Sequence, residues 1–267
     1  ELANLVGVMY VVCTDGHRVV VFAEDAVGDI APLRIIEGPA TLMATGDAGG
    51  LEVDSDFINV ANYRDNNSLV FERTAEGDVA PVRVIEGAQT HLDHPDGIAV
   101  NEQYLFVTNA QNDSITVFDK GADGNVAPLR TIIGAATALS EPYGIEVHQG
   151  RLFVANYGSD AVTVYLETET GNAAPVRTYS GGLTALAGPS GLRVISGVLY
   201  VTNWDHNSVT AFDATAGGNV SPLWRTIGNS TLLQTPWGVD GPSNNDLIFA
   251  EGFESGSTVE WSGGSNP

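Results

Sequence analysis

Short apolar runs with strand chemistry alternate along the chain with clusters of Gly, Pro, Asn and Asp, and no stretch keeps the 3.6-residue period of a helix. In the clearest stretch the runs are Gly97-Ile-Ala-Val100, Leu105-Phe-Val-Thr108, Ser114-Ile-Thr-Val-Phe118 and Leu129-Arg-Thr-Ile-Ile133. All four are rich in β-branched and aromatic residues, which suit a pleated, packed surface. The group repeats. Leu105-Phe-Val-Thr-Asn109 returns as Leu152-Phe-Val-Ala-Asn156, Leu199-Tyr-Val-Thr-Asn203 and Ile58-Asn-Val-Ala-Asn62. An Ala-Pro or Ser-Pro pair recurs at Pro32, Pro81, Pro128, Pro175 and Pro222, with spacings of 49, 47, 47 and 47. A Pro-x-Gly turn recurs at Gly97, Gly144, Gly191 and Gly238, each 47 apart. Four antiparallel strands per unit of this length is the arithmetic of a propeller blade.

The pattern predicts an all-β chain: one six-bladed β-propeller domain over 1–267, with blades at about 1–38, 50–87, 97–134, 144–181, 191–228 and 238–262. The second strand and its successor recur six times, the successor closing on Phe22, Phe71, Phe118, Tyr165, Phe212 and Trp261. Six full units exceed the 267 residues by about one strand and its turn. The last blade is therefore expected to lack its outer strand. That leaves Ser257, Thr258, Val259, Glu260 and Trp261 as an open edge, a template for β-augmentation into a homo-oligomer or filament.

Composition narrows the function. Eleven basic residues against 33 acidic ones give a net charge of −22, and Lys120 is the one lysine. Nucleic-acid binding needs phosphate-neutralising cations, so this balance argues against it and against anionic membrane surfaces. No apolar run reaches the length of a membrane span, so no membrane insertion is expected. Cys13 alone excludes a disulfide framework and a four-cysteine zinc site. The start at Glu1 without methionine suggests a mature product whose signal peptide was removed. A location outside the cytoplasm (extracellular, cell-surface or periplasmic) is expected, where excess carboxylates keep the chain hydrated.

The order Pro-x-Gly-Ile-x-Val, Leu-Phe-Val-x-Asn, Asn-Ser-Ile-Thr-Val-Phe resembles NHL-type six-bladed propeller repeats and the related lactonase-like and streptogramin-lyase propellers. The resemblance covers essentially the whole chain. It implies the fold, and for the lyases a channel-side histidine metal site, to which His17, His91, His94 and His206 are the candidates here. For lactonase-like members it implies an acidic metal cluster, and the inner strands offer Glu52, Glu146 and Asp240 without a repeated triad.

In a propeller, the loops entering the inner strands and those joining strands two and three open on one face. There the sequence places Tyr63, Asp96, Tyr143, Tyr157, Trp204 and Trp237, aromatic planes beside carboxylates that suit a small polar ligand, glycan or peptide. The repeated Asn62, Asn109, Asn156 and Asn203 are read as Asx turns. Arg34, Arg83, Arg130, Arg177 and Arg225 are read as bridges to acidic neighbours. Asp119 to Asn125 resembles a calcium loop without its terminal glutamate, so calcium and zinc stand only as alternatives to the expectation of no cofactor. The chain is read first as a secreted, non-enzymatic interaction or structural module. A metal-dependent lyase or lactonase and a carbohydrate- or peptide-binding propeller are the alternatives.

Overall fold

A computed structural model describes residues 7–13, 16–23, 26, 28–43, 48–231, 233–240 and 248–251. The chain is a β-propeller, and each sheet is an antiparallel meander in chain order. The first holds β1 (Val8–Cys13), β2 (Arg18–Ala23) and β3 (Arg34–Ile36). Four four-stranded blades follow. They are β4 (Ala48–Val53), β5 (Phe57–Asn62), β6 (Asn67–Glu72), β7 (Arg83–Ile85); then β8 (Pro95–Val100), β9 (Tyr104–Asn109), β10 (Ser114–Asp119), β11 (Arg130–Ile133). Next come β12 (Pro142–His148), β13 (Arg151–Asn156), β14 (Ala161–Leu166), β15 (Arg177–Tyr179); then β16 (Pro189–Ile195), β17 (Val198–Asn203), β18 (Ser208–Asp213), β19 (Trp224–Ile227). A two-stranded sheet of β20 (Pro236–Asp240) and β21 (Ile248–Glu251) follows. The expected inner strand of the first blade and the expected edge at 257–261 lie outside the described residues.

The core explains why the second-strand runs are unbroken rather than alternating. Leu105 and Val107 of β9 pack toward the preceding blade, with Ala61 and Ile85. Phe106 between them packs toward the following blade, with Leu152, Val154 and Tyr165. β13 does the same: Leu152 and Val154 face backward, Phe153 and Ala155 forward onto Leu199 and Phe212. Each sheet is buried on both faces, so both positions of the period-two pattern are apolar, each side chain contributing about 1.5–3 kcal/mol.

Polar straps join the blades, and they correct several sequence readings. The outer strands β3, β7, β11 and β15 bond to the hairpin loop of the next blade, as when Gly124 N–H donates to the Val84 carbonyl at 2.7 Å and Gly171 N–H to that of Thr131 at 2.6 Å. The side chains of Asp78, Asn125, Asn172 and Asn219 accept N–H groups of Ala40, Gln89, Ala136 and Leu183, 2.7–2.8 Å away in the preceding blade. The segment that resembles a calcium loop takes part in these bonds: Asp119 accepts from Gly121 N–H, Asp123 from Val84 N–H and Asn125 from Gln89 N–H. Three of the periodic arginines reach carbonyls rather than carboxylates. Arg130 donates to Glu167 O at 3.0 Å, Arg177 to Ala214 O and Arg34 to Arg73 O, while Arg83 and Arg130 lie over the rings of Phe57 and Tyr104. Lys120 is paired with Asp54 of the preceding blade at 3.0 Å.

The repeated asparagines are structural, but not as Asx turns. Fully buried, Asn109, Asn156 and Asn203 accept N–H groups of Asp93, Ser140 and Ala187 at 3.0–3.1 Å, fastening the loop that enters their own blade. A second series runs to the next blade. Asn66, Asp113, Asp160 and Asn207, all at positive φ, accept from His94, Glu141, Gly188 and Thr235 N–H at 2.6–2.7 Å.

The Pro-x-Gly element is a bulge inside each inner strand, where the register shifts between Pro95 and Ile98, Pro142 and Ile145, and Pro189 and Leu192. Its glycine meets the next blade's backbone. A Cβ on Gly50 would lie 2.7 Å from Asp96 O and one on Gly144 2.5 Å from Ser190 O; Gly97 and Gly191 are closer still to Tyr143 O and Trp237 O. Gly182, by contrast, has open space around it. Gly97→Ala is expected to lower stability by about 1–3 kcal/mol in urea unfolding, and Gly182→Ala to change it by less than about 0.5 kcal/mol.

Candidate functional site: the mouth of the channel

The bulge throws the residue between Pro and Gly toward one end of the channel. In successive blades that residue is Gly49, Asp96, Tyr143, Ser190 and Trp237. The loops joining second and third strands come to the same end, because they bond to the loops entering the inner strands. Ala110 and Gln111 N–H donate to His94 and Asp93 O, Tyr157 N–H to Glu141 O and Trp204 N–H to Gly188 O.

Four of the aromatics form one continuous ladder. Tyr143 is stacked between Tyr157 (centroids 4.9 Å apart) and Trp237 (5.2 Å), and Trp204 meets Trp237 edge-on at 5.1 Å. Tyr157 also donates its hydroxyl to Asp205 at 3.3 Å. The Tyr143–Trp237 stack reaches past the intervening β16–β19 sheet, and all four rings stay half-buried. The sequence expected these planes to await a ligand; they first stack on one another. Tyr63 stands apart, edge-on to His94 at 4.7 Å. Between Tyr63 and Tyr143 opens a cavity of about 310 Å³, lined by Ala110, Gln111, Asp113, Ser140 and Glu141 as well.

Asp96 is the unusual group. Its side chain is buried with the residue only 3% exposed, and among the described residues it has no hydrogen-bond or salt-bridge partner. Burial alone pushes its carboxyl up to about 7. Its charge acts on the neighbouring Tyr143 phenol, whose ionisation is pushed well up, by burial first and then by Asp96, Tyr63 and Glu141. Tyr157 is raised too, by burial and by the Asp205 carboxylate.

The histidine candidates do not converge. His17 occupies, at positive φ, the place that Asn66, Asp113, Asp160 and Asn207 fill in later blades. His91 is exposed; His94 lies 3.2 Å from Asp93 and His206 3.3 Å from Arg225. Among the described residues, no three His, Cys, Asp or Glu side chains come together as a metal set. Deeper in the channel Arg193 was not foreseen. Its guanidinium lies 2.9 Å from Glu146 and 3.8 Å from Glu52, drawing both inner-strand acids into ion pairs. The 47-residue spacing of positions 146 and 193 was the signal available in the sequence. Arg193 and burial hold the His148 imidazole below its ordinary range, burial being the larger cause. Burial likewise pushes the Cys13 thiol up, against the pull of Arg18.

No family model and no curated protein sequence matches the chain. Solved structures do. The computationally designed Ika8 protein is similar at TM-score 0.53 and 14% identity, over 87% of this chain and 64% of its own. A chain of a mitotic checkpoint complex matches at 0.61 and 13%, over 92% and 69%. A functionally unknown protein from Desulfotomaculum acetoxidans DSM 771 matches at 0.61 and 14%, over 92% and 73%. This chain thus spans about two thirds of the length of these structures, and identities so low carry the propeller fold alone.

The buried carboxyl gives a test with a definite sign. With its pKa raised from about 4 to about 7, Asp96 binds a proton more tightly folded than unfolded, so stability falls as pH rises through that window. Asp96→Asn is therefore expected to be roughly 1–3 kcal/mol more stable than the parent at pH 8 and within about 0.5 kcal/mol of it at pH 4, by urea unfolding at both.

Proposed function

We propose that this propeller is a non-enzymatic binding module, acting outside the cytoplasm, that holds a polar ligand such as a glycan or peptide at the mouth of its channel. The observation that carries the reading is the ladder Tyr157–Tyr143–Trp237–Trp204 beside the cavity of Tyr63, Gln111, Asp113 and Glu141. Stacked rings keep large contact surfaces in place at small entropic cost, and the amides and carboxylates around them fix orientation. The acidic, lysine-poor composition supports the extracytoplasmic setting. The NHL-like repeat and a sixth blade, with β20 and β21 as its inner pair, belong to the same reading.

On glycan and peptide arrays, Trp237→Ala and Trp204→Ala should each lose at least about tenfold of the signal of any ligand bound by the parent, with melting temperatures within about 3 °C. Array signals that survive both substitutions would move the contact away from the mouth. Because packing between blades supplies the stability, EDTA should leave the melting temperature unchanged to within about 1 °C. A fall of about 5 °C or more would instead favour the metal-dependent lyase or lactonase reading.

A further inference from the structure

We infer that the cavity between Tyr63 and Tyr143 takes an organic cation, an alkyl ammonium or guanidinium group, with Asp96, Asp113 and Glu141 as its counter-charges. The inference rests on the reading of the mouth as a binding site and names the chemistry of what enters it.

Three independent features point the same way. The lining carries two carboxylates, Asp113 and Glu141, two tyrosine rings, and the amide and hydroxyl of Gln111 and Ser140, but no basic side chain. Carboxylates fix an N–H donor by charge-assisted hydrogen bonds, and the ring of Tyr63, which lies outside the stacked ladder, attracts the same cation. The cavity, at about 310 Å³, has the size for one side-chain head and stem rather than an extended ligand. Beside the Tyr143 wall lies Asp96, 3% exposed and, among the described residues, without a hydrogen-bond or salt-bridge partner. A buried carboxylate left without a donor is costly, and a cation entering next to it removes that cost. The loops around the mouth extend the same sign, with Asp65, Asp93, Asp160 and Asp205 beside one arginine, Arg64.

The titratable groups on the elements packed against β8 can be named. They are Glu52 on β4, Tyr104 on β9 and Tyr143, Glu146 and His148 on β12, with Tyr63, Asp93, His94 and Glu141 on the flanking loops; β5 contributes none. Glu52 and Glu146 are already drawn to Arg193. Asp96, buried behind the Tyr143 wall, is thus a carboxyl whose ionisation changes the charge beside the cavity. Above about 7 it is a carboxylate and attracts the cation; below, it is neutral and does not.

The test is calorimetric titration of the whole chain with n-butylammonium, n-butylguanidinium and neutral 1-pentanol, alongside short peptides carrying one lysine or one arginine, at pH 8 and pH 5.5. Expected is saturable binding of the cations at pH 8, at least about tenfold tighter than pentanol, and weaker at pH 5.5. Asp96→Asn should lose about tenfold at pH 8 and erase the difference between the two pH values; Glu141→Gln should weaken binding at both. Free amines that bind as well as the peptides assign the site to small amines, and tighter peptides assign it to a protein side chain; either upholds the cation. Equal binding of pentanol and the cations overturns the inference, as does absence of saturable cation binding or an Asp96→Asn variant that binds like the parent. If uncharged array ligands bind in a Trp237-dependent way while cations fail, the binding module stands and the cation falls. If neither binds, both fall.

Discussion

Neighbouring inner strands approach so closely at Gly50, Gly97, Gly144 and Gly191 that no side chain fits between one strand and the backbone of the next. The threonines of the second strands tighten the same contact: Thr108 accepts from Gly97 N–H and donates to Tyr143 O at 2.6 Å, and Thr202 links Gly191 to Trp237 in the same way. From this one constraint the functional geometry follows. The residue before each glycine is turned to the mouth, where Asp96, Tyr143 and Trp237 gather. The residue two places after it lines the channel, where Glu52, Glu146 and Arg193 close on one another. Mouth and channel floor are therefore two readings of one strand position shifted by three residues.

The rest of the molecule is coupling between neighbours. Apolar side chains are shared by adjacent sheets, and the polar straps run through the same positions in blade after blade. Such a fold spreads its stability over many equivalent contacts, as in other repeat architectures. It can then tolerate unfavourable groups, and among the described residues Asp96, buried with no hydrogen-bond or salt-bridge partner, is the acid that stands out. A burial cost falls on this one inner-strand position, where the other blades carry glycine, tyrosine, serine and tryptophan.

The fold was legible in the sequence because a blade is local: its strands, its turns and its 47-residue period all lie within one unit. What was misread crosses between loops and blades. Asn109 reaches back to Asp93, Asp113 reaches forward to Glu141, and Arg130 reaches a carbonyl at Glu167, each partner being invisible to a reading that looks a few residues either side. The mouth aromatics were found because they vary at a fixed repeat position, yet their stacking on one another depends on channel width, which no spacing encodes. Arg193 escaped notice because it replaces an acid, and a search for clustered carboxylates passes over the one residue that neutralises them.

The straps and the mouth use different residues of the same unit. Fastening falls to the asparagines, the periodic arginines and the hairpin glycines, whereas the groups presented to the channel mouth are the residue between Pro and Gly and the residue after the repeated asparagine. A unit of 47 residues is in this sense a cassette with constant joints and two variable display positions. Exchange of such cassettes, or substitution at these two positions, would change the chemistry of the mouth without reworking the joints.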